Sequence, residues 1–252
     1  MSDLAVPQAP RRAAVRDDVE RVLVVTAHPD DVDFGAAGTV ASWTAAGLEV
    51  AYCICTSGDA GGFDDTPRDR MAPLREAEQV AAAAELGVSD VRFLGYPDGR
   101  LLPSIELRRD ISREIRRFRP QRVLTQSPEI FWRRMGASHP DHRAAGEAAL
   151  AAVYPDARNP FAHPELLADE GLQAWTVPEM WLMGAPEERQ DHAVDITATL
   201  DRKLAALDRH ASQTAHRSDI GDWVRGLSAT TGRRFGLPAG HLAEAFQVVA
   251  IE

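Results

Sequence analysis

The stretch "VVTAHPDDVDFGAAG", residues 24–38, decides the fold. It opens in an apolar run and changes at once to a group of titratable side chains, His28, Asp30, Asp31 and Asp33. Crowding four such groups where a buried strand ends costs solvation free energy unless water, hydrogen bonds or a cation offset that cost. The stretch therefore predicts a buried strand, a polar loop with a special purpose, and a following helix.

Short apolar runs alternate with helical stretches along the rest of the chain. The expected strands are "RVLVVTA", "LEVAYCICTS", "DVRFLGYP", "QRVLTQ", "EMWLMG" and, at the end, "HLAEAFQVVAIE". The stretches between them carry helical periodicity, and two of these helices are expected to stop at Gly47 and Gly87. This rhythm predicts an α/β fold, a Rossmann-like and mostly parallel sheet with helices on both faces and a small C-terminal cap region.

Composition limits the class of protein. The 252 residues carry a net charge of −10, which argues against nucleic acid or an anionic membrane as the main partner. No apolar run approaches the roughly 18 residues needed to cross a bilayer, and the N-terminus lacks the apolar core of a signal peptide. We therefore expect a cytoplasmic protein, with residues 1–18 as a flexible tail and residues 19–252 as a single domain.

Two polar clusters are expected to meet at one edge of the sheet. Residues 28–33 follow the first strand, and "SHPDHR", residues 138–143, follows the fourth strand. Loops at the carboxyl ends of parallel strands form the ligand site in open sheets of this kind. Histidine, aspartate and histidine from two such loops suit zinc with an open fourth position, and a divalent cation would neutralise the crowded carboxylates.

The two clusters hold more carboxylates and imidazoles than zinc requires. A carboxylate left free beside the metal can act as general base, and a remaining histidine can stabilise an oxyanion or protonate a leaving amine. Such a site is equipped to hydrolyse an amide or an ester. The residues alone do not say which aspartate has which role.

"AHPDD" after the first strand, together with "HPDH" after a later one, resembles the zinc-dependent N-acetylglucosaminyl deacetylases of the PIG-L/LmbE family. Further blocks occur in the family order: "TSGDAGG", "LREAEQVAAAAELGV", "FLGYPDGRL", "PQRVLTQSPE", "KLAALDRHASQ" and "EAF". The resemblance covers most of residues 21–250 and implies an LmbE-like domain.

The resemblance assigns roles to the titratable residues. It implies that zinc is bound by His28, Asp31 and His142, with iron (Fe²⁺) as the alternative metal, since this ligand set suits both. It also implies that the general base is Asp30, acting on the zinc-bound water. The same comparison makes His139 the electrophilic and acid histidine, with Asp141 orienting its ring.

Four further residues match family positions that contact the substrate. Arg75 matches an arginine that holds the sugar, and Asp98 matches a carboxylate that binds hydroxyl groups. A surface helix arginine and a turn-forming Asp-Gly pair are the alternatives for these two. His210 and Gln213 match the "HxSQ" block, where contact with substrate and bonding at a helix end are equally good interpretations.

The chain departs from the family pattern at two places. Val32 and then Asp33 follow "HPDD", where many members carry glutamate, so Asp33 is expected either to support the site or to contact another part of the substrate. The segment "RMGAS" before His139 contains no tyrosine, although some members place one there to assist the tetrahedral intermediate.

The leading interpretation is a zinc-dependent N-deacetylase that removes an acyl group, expected to be acetyl, from an amino sugar or its conjugate. The alternatives are a metal-dependent amidase acting on a thiol conjugate or an acylated natural-product sugar, and a metal-stabilised sugar-binding protein without catalysis. The expected partner is a small amino-sugar molecule. Because related folds often form trimers or hexamers, a homo-oligomer is also expected.

Overall fold

A computed structural model of the chain describes residues 15–63 and 65–251. The strands are β1 Arg21–Thr26, β2 Glu49–Thr56, β3 Asp90–Tyr96, β4 Arg122–Gln126, β5 Glu179–Met183, β6 His192–Asp195 and β7 Ala243–Ala250. The helices are α1 Asp31–Gly35, α2 Ala37–Ala45, α3 Arg68–Glu85, α4 Ile105–Phe118, α5 Pro140–Ala151, α6 Pro164–Ala168, α7 Leu200–Arg209, α8 Ala211–Thr214 and α9 Ile220–Arg234.

All these strands form one seven-stranded sheet in the order β3-β2-β1-β4-β5-β7-β6. The pairs from β3 through β5 are parallel, whereas β7 runs antiparallel to both β5 and β6. The predicted α/β fold with a mostly parallel sheet is therefore confirmed. β1 and β4 are neighbours, so the loops that follow them emerge side by side.

Helices cover both faces of the sheet. Because alternate residues of a strand point to opposite faces, successive residues of the central strands pack against different helices. Leu23 and Val25 of β1 pack with α4 and α5, whereas Val22 and Val24 pack with α2 and α3. Burial on both faces explains why these strands read as almost continuous apolar runs. Cys53 and Cys55 are buried free thiols within β2.

The C-terminal part of the chain was predicted least completely. β7 was expected, but the short strand β6 and helix α9 were not. β6 has only four residues and is half exposed, so it lacks a clear apolar pattern. α9 buries residues such as Val224 and Ser228, whose mixed polarity hides the helical stripe.

Most of the predicted N-terminal tail, residues 1–14, lies outside the described residues. The described remainder contacts the sheet. Val15 packs against the core, and the backbone N–H of Arg16 donates to Glu179 Oε1 at 2.9 Å. Arg122, which forms a buried ion pair with Glu179, donates to the carbonyl of Arg16. The division into a tail and one domain stays a prediction.

Candidate metal centre and the cavity around it

The loop after β1 makes a tight turn into α1. Asp30 has φ 93° and ψ −24°, a left-handed conformation that is uncommon for residues other than glycine. Its carbonyl accepts hydrogen bonds from the backbone of Asp33 and Phe34 at 2.9 and 3.0 Å, and its own N–H donates to Gln79 Oε1 at 2.7 Å. These bonds offset the backbone strain, which costs about 1–3 kcal/mol.

The second cluster stands at the start of α5, directly beyond β4. His139 caps this helix, with its Nδ1 accepting from the backbone N–H of Asp141 at 3.2 Å. The helix lies very close to the end of β4, since a Cβ added to Gly146 would stand 2.1 Å from the carbonyl oxygen of Gln126. This close approach brings His142 to the same edge of the sheet as the loop after β1.

Three imidazoles meet where the two loops come together. The ring centres of His28, His139 and His142 are 5.1, 5.2 and 5.3 Å apart in pairs. Asp31 lies between two of them: its Oδ1 is 2.9 Å from His142 Nε2, and its Oδ2 is 3.4 Å from His28 Nδ1. The predicted clusters are therefore in direct contact.

Buried charge controls the titration of these groups. Desolvation raises the pKa of Asp31, but His142 and His28 outweigh it and hold that pKa well below its ordinary value. Conversely, desolvation lowers the pKa values of His28 and His142, and Asp31 more than reverses this, with help from Asp141 and Asp98 at His28. A carboxylate held between two imidazoles needs positive charge beside it, and either protons on the rings or a divalent cation supplies that charge.

The donor set fits a metal ion. One group of side chains that could hold a cation consists of His28, His139 and His142, with donor atoms within 4.8 Å of one another. Asp31 touches two of these rings, so it completes the predicted set of His28, Asp31 and His142. A second group, His28 with Asp98 and Asp141, shares one histidine with the first. Imidazole and carboxylate ligands of this kind suit zinc or iron.

Asp30, the predicted general base, lines the cavity next to this group. Desolvation by burial raises the pKa of its carboxyl to about 6, against the opposing effect of Arg75. Arg75 Nη2 lies 3.1 Å from Asp30 Oδ2 and donates to the carbonyl of Pro29 at 2.6 Å. A carboxyl that titrates near neutral pH beside a metal site has the property required of a general base.

A buried hydrogen-bond network connects the backbone of Asp30 to Asp33 and His210. Gln79, which accepts from the Asp30 N–H, donates to Asp33 Oδ2 at 2.9 Å, and His210 Nε2 lies 2.8 Å from the same oxygen. Asp33, Gln79 and His210 are all 0% exposed. Asp33 therefore supports the site rather than contacting substrate. The His210 side chain is fully enclosed at the end of α7 and contacts Asp33, which favours the second interpretation of this block, bonding at a helix end, over contact with substrate.

His139 and Asp141 differ in environment. His139 is exposed to the cavity, and desolvation together with nearby His28 lowers its pKa. Since Nδ1 accepts a hydrogen bond from Asp141 N–H, the neutral ring carries its proton on Nε2. Asp141 thus orients the ring through its backbone. Its carboxylate instead contacts His28 Nε2 at 3.3 Å and accepts from the N–H groups of Gly99 and Leu101.

The other three predicted substrate residues line the cavity. Asp98 Oδ1 lies 3.1 Å from His28 Nε2, and its Oδ2 accepts from the N–H of Ala60. Arg75 donates to the carbonyl of Gly58, whose φ of +66° and close approach to the guanidinium leave no space for a Cβ. Gln213 also lines the cavity. Arg75, Asp98 and Gln213 thus stand within reach of a bound ligand.

The cavity has a volume of about 890 Å³ and extends well beyond the predicted residues. The apolar part of its lining, which we call the far lobe, consists of Phe34, Met183, Trp223, Val224 and Leu227, with Arg134 and Arg217 beside Trp223. Sequence reasoning missed this wall and also missed Gln79. The spacing of four residues between Arg75 and Gln79 on one helix could have revealed the latter.

Comparisons with known proteins agree with this geometry. The chain matches the profile of PIG-L, described as GlcNAc-PI de-N-acetylase, over residues 23–153. It is 30% identical over 226 residues to diacetylchitobiose deacetylase of Thermococcus kodakarensis, covering 89% of this chain and 81% of that protein. The chain belongs to the PIG-L family. Among the residues that the structure describes, no helix is long and apolar enough to cross a membrane.

Two further relatives of this PIG-L protein support the assignment. A 1D-myo-inositol 2-acetamido-2-deoxy-alpha-D-glucopyranoside deacetylase of Rhodococcus erythropolis is 30% identical over 243 residues, covering 77% of this chain and 81% of that protein. The structure of N,N'-diacetylchitobiose deacetylase from Pyrococcus horikoshii superposes with a TM-score of 0.82 at 29% identity, covering 92% and 85% of the two chains. The relatives are deacetylases of compounds that contain N-acetylglucosamine.

Proposed function

We propose that the protein is a zinc-dependent N-deacetylase that removes an acetyl group from an N-acetylglucosamine conjugate. One observation carries the proposal: a carboxyl with a pKa raised to about 6, Asp30, lines the same cavity as the candidate metal ligands. A site that only held a structural ion would have no use for such a base. The names of the relatives supply the substrate class.

His28, Asp31 and His142 would hold the ion. When bound there, zinc acts as a Lewis acid and lowers the pKa of a water. Asp30 then takes a proton from the attacking water, with Arg75 holding its carboxylate at 3.1 Å. Gln79 keeps the backbone of Asp30 in its left-handed conformation, which fixes the direction of the carboxylate.

His139 is placed to donate a hydrogen bond to the amide oxygen as negative charge develops on that oxygen. Its Nε2–H is free to donate because Nδ1 is occupied by the Asp141 N–H. None of the chain's three tyrosines, Tyr52, Tyr96 and Tyr154, lines the cavity, so this imidazole takes the part that a tyrosine has in some relatives. Arg75 and Asp98 are the contacts for sugar hydroxyl groups, and Gln213 lies beside them on the cavity wall.

The test is release of primary amine from N-acetylglucosamine conjugates by wild type and by Asp30→Asn at equal zinc content. Removal of a general base lowers kcat about 10²–10⁴-fold. We expect that loss with zinc still bound at one equivalent. Full activity of Asp30→Asn, or no amine release by zinc-loaded wild type from any N-acetylated amino sugar, would contradict the proposal.

Three finer points belong to the same proposal. We expect zinc rather than iron in the site, a cytoplasmic location and a homo-oligomeric assembly. Metal analysis of protein purified without added metal tests the first point, cell fractionation the second, and light scattering the third. Iron in place of zinc, with activity retained, would change the cofactor and leave the residue roles as they are.

A further inference from the structure

The far lobe of the cavity is not needed by the metal site or by the sugar contacts. Asp98 contacts both Arg75 and the candidate metal ligand His28, whereas the far lobe adds to the lining an apolar group around Trp223 of α9. A volume of about 890 Å³ lies near the top of the roughly 300–1,000 Å³ found for small-molecule sites. The cavity is therefore built for a sugar that carries a sizeable substituent.

An aromatic surface forms the centre of the far lobe. Trp223 is half-buried and meets Phe34 edge to face, with their ring centres 6.2 Å apart and the planes at 74°. Arg134 and Arg217 both stand over the indole, with each Cζ 5.5 and 5.4 Å from its centre. Aromatic rings and guanidinium groups arranged in this way bind flat, apolar groups well.

Charge in the cavity is balanced with one exception. The lysine and arginine side chains of the lining are Arg75, Arg134, Lys203 and Arg217. Three of them have carboxylate partners: Arg75 pairs with Asp30, Lys203 with Glu244, and Arg217 with Asp219.

Arg134 is the exception. Arg134 is exposed to solvent; within residues 15–63 and 65–251 no carboxylate lies within 4 Å of its guanidinium, which stands over the Trp223 ring. Desolvation lowers the pKa of Arg134, and no acidic side chain acts against that effect. The carboxylates of the lining are already engaged, with Asp31 and Asp98 on imidazoles and Glu244 on Lys203. A cation without a carboxylate partner beside an apolar surface favours an anionic ligand.

We propose that Arg134 and Trp223 form a subsite for an acidic aglycone, an aromatic or similarly flat group bearing a carboxylate or phosphate. This inference rests on the proposed function for the position of the sugar. It names the substrate class as an acidic N-acetylglucosaminide. A longer N-acyl chain is the other occupant that the apolar wall could take, but a neutral chain gives no role to the unpaired guanidinium.

Binding tests the subsite without any need for hydrolysis. The probes are two deacetylated glucosaminides of equal shape, one with a 4-carboxyphenyl aglycone and one with a 4-carbamoylphenyl aglycone, measured by calorimetry. We expect wild type to prefer the carboxylate by about tenfold, the effect of one charge-assisted hydrogen bond. Arg134→Met should reduce that preference to less than about threefold, and Trp223→Leu should weaken both ligands.

The matched control is Arg133→Met. Arg133 is adjacent in sequence and its side chain is 85% exposed, 3.7 Å from Glu187 and outside the cavity lining. Arg133→Met removes the same charge from a position outside the cavity. The preference of this variant for the carboxylate ligand should therefore equal that of wild type. An equal loss in both variants would mean general electrostatic attraction, and a preference that survives Arg134→Met would place the anion elsewhere. Either result overturns the subsite.

Hydrolysis separates the subsite from the proposed function. If the carboxylate preference is found but the N-acetylated forms release no amine, the subsite stands and the proposed deacetylase function fails. If amine is released but the acidic aglycone is not preferred, the proposed deacetylase function stands and the subsite fails. Faster hydrolysis of N-hexanoyl than of N-acetyl glucosaminides, lost in Trp223→Leu, would assign the far lobe to the acyl chain and overturn the proposal.

Discussion

The two sides of the cavity are built in opposite ways. At the metal side, charged groups that follow β1, β3 and β4 contact one another at 2.9–3.4 Å, and each carboxylate has a positive or imidazole partner. In the far lobe, apolar groups come from three elements that are distant in sequence, namely β5, α9 and α1, the last of which also carries Asp31, and one arginine has no carboxylate partner. The first side is equipped for chemistry, and the second is suited to choosing what the sugar carries.

The two sides differ in how strictly they depend on residue type. The metal side consists of a few side chains in short motifs, and replacing any of them removes a ligand or a catalytic group. The far lobe depends on shape and apolar area, which many residue types can provide. Substitutions on the two sides should therefore fail in different ways, and the following variants test that expectation.

The largest effect is expected from His142→Ala at the metal side. This variant removes one predicted ligand and leaves Asp31 with a single imidazole neighbour. We expect zinc content after dialysis to fall by more than about 10-fold, and kcat/KM to fall by more than about 100-fold, since even residues that only support ligands contribute 10–100-fold. Elemental analysis and an amine-release assay measure the two quantities.

The control for that variant is His241→Ala, which pairs with Asp195 and does not line the cavity. It should keep its zinc. Retention of stoichiometric zinc by His142→Ala would show that the ion is bound by other residues, with the group of His28, Asp98 and Asp141 as the first to be tested.

A smaller effect is expected from Gln79→Leu, behind the metal side. The change leaves the Asp30 N–H without its partner and removes one of the two partners of Asp33 Oδ2, so we expect kcat to fall about 10–100-fold with zinc still bound. Unsatisfied buried groups should also lower the free energy of unfolding by about 1–3 kcal/mol.

Gln121→Leu is the matched control, because Gln121 also accepts from a backbone N–H, that of Arg21, but at the opposite end of β1. It should lose stability without loss of kcat. If Gln79→Leu and Gln121→Leu have the same kcat, the support given by Gln79 to Asp30 does not affect the reaction.

The close packing of α5 against the end of β4 is tested by Gly146→Ala. A Cβ at this position would stand 2.1 Å from the carbonyl oxygen of Gln126, so α5 must move. We expect a loss of about 1–3 kcal/mol in the free energy of unfolding, measured by denaturant titration. Gly226→Ala, in the interior of α9 with open space around it, should instead gain up to about 1 kcal/mol from helix propensity. Equal effects in the two variants would contradict the account of α5.

The smallest catalytic effect is expected from Leu227→Ala in the far lobe. Loss of apolar contact of this size is worth about 1–2 kcal/mol, so KM for an aryl N-acetylglucosaminide should rise about 5–30-fold. The change in kcat should be much smaller, because Leu227 is an apolar residue of α9 and is not among the candidate metal ligands or their contacts. A fall in kcat as large as that of Gln79→Leu would show that the two sides are not separate.

The metal side could be predicted from the sequence because its residues are grouped in two motifs. Strand position placed both motifs at one edge of the sheet, and the contact of Asp31 with His28 and His142 agrees with that placement. Burial was harder to predict. His210 lies in a family block that allowed either contact with substrate or bonding at a helix end, and the packing of α7 encloses it against Asp33.

The far lobe could not be predicted for a physical reason. α9 has no strong apolar stripe, since Gly226, Ser228 and Thr231 interrupt it, and its contacts with the cavity form only when the whole chain is folded. The antiparallel strand β6 was missed for a similar reason, because four half-exposed residues carry too little pattern. The parallel strands β1, β2, β4 and β5, which are largely buried on both faces, were predicted correctly, and so was the half-exposed edge strand β3.

The most direct test of the central claim is to locate the metal. Anomalous X-ray scattering at the zinc edge from zinc-loaded crystals would show the ion and its ligands. We predict one ion at about 2.0–2.2 Å from donor atoms of His28, Asp31 and His142, with Asp30 close by but not coordinated. An ion held instead by His28, Asp98 and Asp141, or one coordinated by Asp30 itself, would contradict the assignment of ligands and base.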